Sequence, residues 1–395
     1  MKKLNHKLIS LFPFLITIFI LSGCINRYAV EQWTKEPVVR VLVGENVASV
    51  AIEASGNHTL STESESFPVI GAAKWDISTG QGLSVVLNGT KNLTNPTLPI
   101  KIAPDERTVL KLNGKPYRGW LAVTPGTTSG FNVINLLPME QYLYGVVPRE
   151  IGQGTPDIMN AVEAQAICAR SYAVTRMGSH RKQGFDIYAD TRDQAYGGMA
   201  IESPVCTKAV EETRGEVAFV DDKILDARYH STCGGYTANS EEAWTAVIPY
   251  LRTVRDAPFL GKAYCATSPH FTWSQAVPKE KFYGMIASAI PNGAKVRTWQ
   301  LDINPKSRRV IKMIVNTDQG KFEIKGPVIR TTLGLKSTYF KVREEGSNMV
   351  FEGHGWGHGV GMCQYGAMEM ARRGASAKRI LKHYYQGVWL GELYE

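Results

Sequence analysis

Residues Leu136 to Tyr172 read LLPMEQYLYGVVPREIGQGTPDIMNAVEAQAICARSY, and the rest of the chain is organised around this stretch. Leu143, Val146 and Val147 form no helical stripe, and Pro148 biases Val147 toward extended backbone, so an extended run is predicted to end where Glu150 appears. A loop containing Gly152, Gly154 and Pro156 follows, with Thr155 as candidate N-cap and Pro156 at the first helical position, where its missing N–H costs nothing. A helix is predicted from about Pro156 to Met177. Its apolar stripe would be Ile158, Val162, Ala166, Ala169 and Ala173, with Gly178 as the residue just past its end. A polar face carries Glu163 and Arg170, and Gln165 and Tyr172, each pair seven residues apart, beside the loop that holds Glu150.

The words VVPRE and VEAQAICARSYA resemble the stage II sporulation protein D family, whose usual form is an extended run, a Val-Pro-x-Glu corner and a helix close to LKAQAVAARTYA. Two further words carry the same resemblance. Tyr229 to Val254 reads YHSTCGGYTANSEEAWTAVIPYLRTV, against the family's His-Ser-Thr-x-Gly-Gly-x-Thr-x-x-Ser-Glu. Gly353 to Gly387 reads GHGWGHGVGMCQYGAMEMARRGASAKRILKHYYQG, against GRGWGHGVGMSQWGA followed by a helix and HYYPGT. Departures from the family are Glu163 in place of a lysine, His354 for an arginine, Cys363 for a serine and Tyr365 for a tryptophan. Glu163 would either raise the pKa of Glu150 by repulsion or pair with Arg170.

Upstream, Lys2, Lys3 and Lys7 precede an apolar run that ends in Leu21-Ser22-Gly23-Cys24, a lipoprotein signal predicting cleavage before Cys24 and lipidation of that cysteine. The mature protein is then expected in the bacterial cell envelope, membrane-anchored through its lipid. Removing three lysines lowers the formal charge from +9 to +6. No dense basic run or nucleic-acid module accompanies that charge, so nucleic-acid partners are not expected. With 44% apolar residues the chain is long enough for two or three packed units.

The fold expected is α+β, several lobes around a glycan cleft. Its divisions are a signal peptide (1–23), a β-rich region (24–100), a catalytic core (101–270), an inserted α+β unit (271–350) and a C-terminal Gly/His-rich motif with helices that complete the core (351–395). VVRVLVG, VASVAIEA and GLSVVL read as strands, and Asn113-Gly114 as a hairpin turn. In the inserted unit WSQAVPKEKFYGMIASAI reads as helical, and Val296 to Gly326 as three strands with turns at Pro305-Lys306 and Gln319-Gly320. Between the long helix and the second motif, GFDIYADTRDQAYGG has the Asp- and aromatic-rich composition of a site-lining loop.

The resemblance implies peptidoglycan as substrate: a lytic transglycosylase acting on glycan strands already stripped of stem peptides, with Glu150 as acid and then base. Relatives described as amidase enhancers imply an alternative, a non-catalytic binder that stimulates a cell-wall amidase, and a structural envelope lipoprotein is the third. Substrate contacts are expected from Gln165 and Arg170 on the helix, from His230, Tyr236 and Asn239, and from His354, His358, Gln364 and Tyr365. If hydrolysis were the reaction, Asp190 or Asp193 would supply a second carboxylate. The His-Ser-Thr segment also reads as a polar turn whose side chains cap their own backbone.

No cofactor is expected, and no metal is carried over from relatives that bind zinc near the Asp-rich loop. Five cysteines remain after Cys24, an odd number. Cys233 and Cys265 are expected to form a disulfide, with zinc held by these two together with His230 and His270 as the alternative. Cys168 and Cys363 read as small buried hydrophobes.

Overall fold

The computed structural model describes residues 35–79, 82–93 and 96–394. The signal segment and Cys24 lie outside the described residues, as does Glu395. Helices and several separate sheets are mixed along the chain, an α+β arrangement.

The N-terminal β-runs pair antiparallel with one another in two sheets that share one core; Ile187–Tyr188 adds a parallel edge strand to the seven-stranded one. Alternation within the strands dictates the packing. Val50, Ile52 and Ala54 of strand Ser49–Ala54 stand opposite Ile77, Trp75 and Ala73 of strand Ala73–Ser78, one buried face against another. Trp75 Nε1 donates to His58 Nε2 at 2.8 Å and stitches the six-stranded sheet to the seven-stranded one. Asn113 and Gly114 adopt φ values of 49° and 81°, the left-handed pair that a two-residue hairpin turn requires, between strands Leu110–Leu112 and Lys115–Tyr117. The expected boundary after residue 100 falls within strand Ile100–Pro104, which pairs with Trp120–Pro125 in the seven-stranded sheet.

Strand Phe131–Pro138 lies inside that sheet, between Val38–Val47 and Trp120–Pro125, and carries the chain into the corner. Here the structure corrects the extended run expected around Leu143 to Val147. Two short helices, Met139–Tyr144 and Val147–Ile151, follow the strand directly, and Glu150 sits in the second. Pro148 occupies the opening turn of that second helix, where no intrahelical N–H is needed, so its bias against helix in the preceding residue is overridden.

A 3₁₀ turn at Pro156–Ile158 leads into the long helix Met159–Arg176, with Gly178 just beyond it at φ 80°. The stripe Ile158, Val162, Ala166, Ala169 and Ala173 is buried as expected. Gln165, Arg170, Ser171 and Tyr172 are buried as well. This second burial has a tertiary cause: helices Gln364–Arg372 and Ala377–Tyr384 pack on the long helix together with Pro204–Glu212 and strand Glu216–Val220.

The two remaining motifs are laced to each other. Tyr229–His230 pairs in parallel with Met362–Cys363, and isolated bridges join Thr232 to Trp356 and Ala238 to Val360. This pairing accounts for the glycine density after Gly353. A Cβ on Gly361 (φ 71°) would strike the Arg228 carbonyl, and one on Gly355 (φ 78°) the Thr232 carbonyl.

The inserted unit has its own core, built around Trp273, Phe282, Met313, Phe340 and Phe351. Its three-stranded sheet Val296–Ile303, Val310–Thr317 and Gly320–Lys325 matches the expected three strands. The segment from Trp273 to Val277, read as helical, is instead part of strand Thr272–Pro278 paired with Asn348–His354; only Lys279–Ser288 is helix. Pro278 caps the transition, and the strand alternates buried Trp273 and Val277 with exposed neighbours.

Candidate active site

Glu150 is brought to a junction of three chain segments. Its Oε1 accepts the Ala195 N–H at 3.0 Å, from the Asp- and aromatic-rich loop. The Gln364 side chain, from the C-terminal motif, adds a second hydrogen-bonding contribution to the carboxylate. Around it lies a polar chain in which Tyr142 donates to Gln194 Oε1 at 3.1 Å and Gln194 Nε2 donates to the Tyr229 hydroxyl at 2.8 Å. Burial raises the pKa of the Glu150 carboxyl above its ordinary value, opposed by the Ala195 and Gln364 bonds and by the charge of Arg149. The side chain is nevertheless not sealed: Glu150 keeps partial exposure, as does Tyr229. This is an acid that remains protonatable and reachable.

Of the expected supporting residues, Gln364 and Gln165 belong to this centre. Gln364 Nε2 donates to Gln165 Oε1 at 3.2 Å, so Gln165, fully buried on the long helix, orients the amide beside Glu150 rather than touching solvent. Arg170 does not belong to it. It is fully buried and clamps Glu140 through Nε at 2.9 Å and Nη2 at 2.6 Å, with further bonds to the Glu216 and Val210 carbonyls. Its expected substrate contact is therefore corrected to a scaffold role. Glu163 neither pairs with Arg170 nor faces Glu150; it lies near Glu212, Glu216 and Lys208.

Asn239 is likewise consumed by the scaffold. Its backbone N–H and Nδ2 donate to Glu242 Oε1, and its Oδ1 accepts the Thr253 N–H at 2.8 Å. These bonds cap helix Ser240–Ala243 and match the polar-turn reading of this segment. His230 is buried, its Nδ1 donating to the Val360 carbonyl at 3.1 Å while Nε2 finds no partner. Burial pushes its pKa well down, so the ring is neutral. Tyr365 is half-buried, and its backbone N–H donates to Ser231 O at 3.2 Å, locking the two motifs together.

A cavity of about 310 Å³ has a lining that includes Asp193, Arg228, Glu242, Trp244, Arg330 and His358. It is contiguous in chain with the junction, since Asp193 and Arg228 directly precede Gln194 and Tyr229. Trp244 is 39% exposed, and the Arg228 guanidinium lies 4.9 Å from its ring centre. His358 packs at 5.0 Å against the same indole and is held neutral by burial, its pKa lowered to about 3. The cavity thus combines an exposed indole with guanidinium and imidazole groups at its rim. Tyr236 and His354 lie apart from this cavity and line a second one with Arg308 and Tyr339.

Gln194, Tyr142, Tyr229, Arg228 and Trp244 are the site residues that sequence reading missed. Gln194 stands in the loop word DTRDQAYGG, Tyr142 in the organising stretch, and Tyr229 and Trp244 in the His-Ser-Thr word, but only the fold brings Tyr142, Gln194 and Tyr229 together. Asp193 accepts from the Tyr172 hydroxyl at 2.7 Å and the Tyr188 N–H at 3.0 Å, and Asp190 is engaged by Arg192, so both are committed to local structure.

All five described cysteines are free thiols. Cys168 is a buried hydrophobe against Tyr385, but Cys363 is not isolated: with Cys233, Cys265 and Asp256 it forms one buried cluster. Cys233 and Cys265 bring their sulfurs to 3.4 Å.

Comparison with known proteins gives a consistent picture. A family model described as Stage II sporulation protein matches residues 127–219, and one described as a domain of unknown function matches residues 259–361, the span of the inserted unit. The chain is 34% identical over 283 residues to Stage II sporulation protein D of Bacillus amyloliquefaciens, covering 67% of this chain and 77% of that one. It is 30% identical over 272 residues to the protein of the same name in Bacillus subtilis (strain 168), covering 65% and 75%. It is also 30% identical over 299 residues to a Bacillus subtilis protein named Amidase enhancer, covering 63% of this chain and 40% of that longer one.

Proposed function

The chain belongs to the stage II sporulation protein D family, and from that premise we propose that it cleaves peptidoglycan glycan strands as a lytic transglycosylase. The observation that carries this reading is Glu150: a carboxyl with its pKa raised by burial, held by the Ala195 N–H and still partly exposed. Glycosidic cleavage needs a proton on the leaving oxygen, and burial favours the protonated form of Glu150 that would supply it.

The reaction then runs with one acid. Glu150 donates its proton to the glycosidic oxygen as the bond to C1 breaks. The 6-hydroxyl of N-acetylmuramic acid attacks C1, and the Glu150 carboxylate takes the hydroxyl proton, leaving a 1,6-anhydro end and a regenerated acid. Ordinary hydrolases add a second carboxylate. Because Asp190 and Asp193 are both committed to neighbouring groups, the one-acid route has the better support. The cavity bearing Trp244, Arg228 and His358 would hold the adjoining sugars. With the lipoprotein signal expected over residues 1–24, the protein would act in the cell envelope, held by lipid on Cys24.

A second reading is favoured by the relative named Amidase enhancer: the same cavity binds glycan without cutting and recruits a cell-wall amidase. The deciding experiment incubates the purified chain with intact and with amidase-stripped sacculi. Anhydromuramyl ends released from the stripped sacculi support the transglycosylase. Glycan binding without such ends, together with faster amidase turnover, supports the enhancer.

A further inference from the structure

Four side chains from three segments of the chain converge on one point in the core. Cys233 comes from the His-Ser-Thr motif, Asp256 and Cys265 from the segment after it, and Cys363 from the C-terminal motif. All four are fully buried, and their ligand atoms lie within 4.8 Å of one another. The Cys233 and Cys265 sulfurs are 3.4 Å apart, and the Cys233 thiol donates to Asp256 Oδ2 at 3.0 Å. We propose that these residues form a closed, structural zinc site with three thiolates and one carboxylate.

Spacing, charge and surroundings support the site. Zinc bound tetrahedrally at about 2.3 Å to sulfur sets its sulfurs about 3.8 Å apart, and the cluster requires only small shifts to meet that. Asp256 is a fully buried carboxylate whose only basic neighbour within ion-pair distance, among the described residues, is His383 at 3.7 Å. A buried carboxylate without a matching cation is costly, and a divalent ion removes that cost. The next ring of groups is already oriented. Tyr384 donates to Asp256 Oδ1 at 2.7 Å, the Cys233 N–H to Cys363 Sγ at 3.2 Å, and the Gly235 N–H to Cys233 Sγ at 3.3 Å. Arg309, fully buried, bonds the Cys233 carbonyl through Nη2 and would offset the excess negative charge of three thiolates. Gly366 lacks the Cβ that would collide with the Asp256 carboxylate and the Tyr384 hydroxyl.

Thiolates with one carboxylate in four-coordinate geometry favour zinc over magnesium or calcium, and four protein ligands leave no open position for chemistry. A disulfide between Cys233 and Cys265 would instead strand Cys363 as an odd thiol and leave Asp256 uncompensated. Because Gln364 directly follows Cys363, a metal that fixes the cysteine would also hold the glutamine beside Glu150. The inference stands independently of whether the protein cleaves glycan.

The test uses the full chain, purified in detergent under mild reducing conditions. Elemental analysis should find about one zinc per chain, lost at least tenfold in Cys265→Ser and retained in Cys206→Ser, whose thiol lies outside the cluster. Cobalt substituted into the wild type should give thiolate-to-cobalt charge transfer and tetrahedral visible bands, which decides the matter even where the serine variant misfolds. The proposal is overturned by less than about a tenth of an equivalent of zinc after reduction and refolding with zinc, by a stoichiometric amount of a different metal, or by a Cys233–Cys265 cystine peptide in a non-reduced digest.

Discussion

Glu140 and Glu150 stand ten residues apart in the same corner, each in a short helix and each shielded from water, yet their surroundings are opposite. Glu140 is saturated. Its carboxylate accepts two bonds from Arg170, one from the Gly215 N–H at 3.1 Å and one from the Tyr394 hydroxyl at 2.6 Å. Glu150 has the Ala195 N–H, the Gln364 contribution and an edge open to solvent. Donor supply therefore separates a carboxylate whose oxygens are fully engaged from a carboxyl whose pKa burial raises, although both are the same residue type. The first ties the C-terminal end of the chain to the corner. The second is left available for chemistry.

The largest effect expected from this contrast is on catalysis. Glu150→Gln should lower anhydromuramyl release from stripped glycan by at least about 10²- to 10⁴-fold, with circular dichroism unchanged and glycan retained in pull-down. Residual cleavage at the wild-type rate would remove Glu150 from its role.

Next in size is the mirror experiment on the saturated partner. Glu140→Ala leaves Arg170 buried without its counter-charge and should cost about 3–5 kcal/mol in urea unfolding, while product formed per folded molecule stays near wild type. A variant as stable as the wild type would mean that the clamp contributes nothing.

Protonation offers a finer separation. The folded pKa of Glu150 is raised above its ordinary 4.5, so between those two values the folded state binds more protons than the unfolded one. Wild-type stability should therefore decline as pH rises through that window. Glu150→Gln abolishes the decline, and its stability relative to wild type should grow from pH 4 to pH 8 in paired denaturation curves. Gln364→Leu removes a group that favours the charged form, so the alkaline limb of the activity profile should move to higher pH. A limb that moves down, or does not move, would separate Gln364 from the acid.

The smallest effect belongs to the neighbouring cavity. Trp244→Ala deletes a stacking surface worth about 0.5–1.5 kcal/mol, which should raise KM for glycan up to about tenfold with kcat nearly constant. An equal fall in kcat would move the indole from sugar binding to the reacting centre.

Glu150 was legible in the sequence because its signal is local: a proline corner, a glycine loop and a helix entered through Pro156 occupy consecutive residues. The same locality exposed the Asn113-Gly114 hairpin, the alternating strands and the three strands of the inserted unit. The role of Arg170 is not legible, for the complementary reason. Seen on one helix it joins a polar face near Glu150, but its partner Glu140 precedes it by 30 residues and the burial of that face comes from elements far along the chain. Asn239 was assigned to sugar from its motif, whereas its hydrogen bonds close within 14 residues on the turn itself.

By itself, then, the sequence determined the family motifs, their order, the long helix and the acid at its entrance, since each is written in residues that lie within one or two turns of one another. Tertiary structure alone decided which polar groups meet. Gln364 reaches Gln165 across 199 residues, and the Cys233 N–H meets Cys363 across 130. Such meetings depend on how glycine-rich strands pair and how C-terminal helices cover the core, a balance of packing over the whole chain that no local spacing records. The same residue type became a fully paired clamp at Glu140 and a partly exposed carboxyl at Glu150 because Arg170, Gly215 and Tyr394 saturate the first, while among the described residues only Ala195 and Gln364 reach the second.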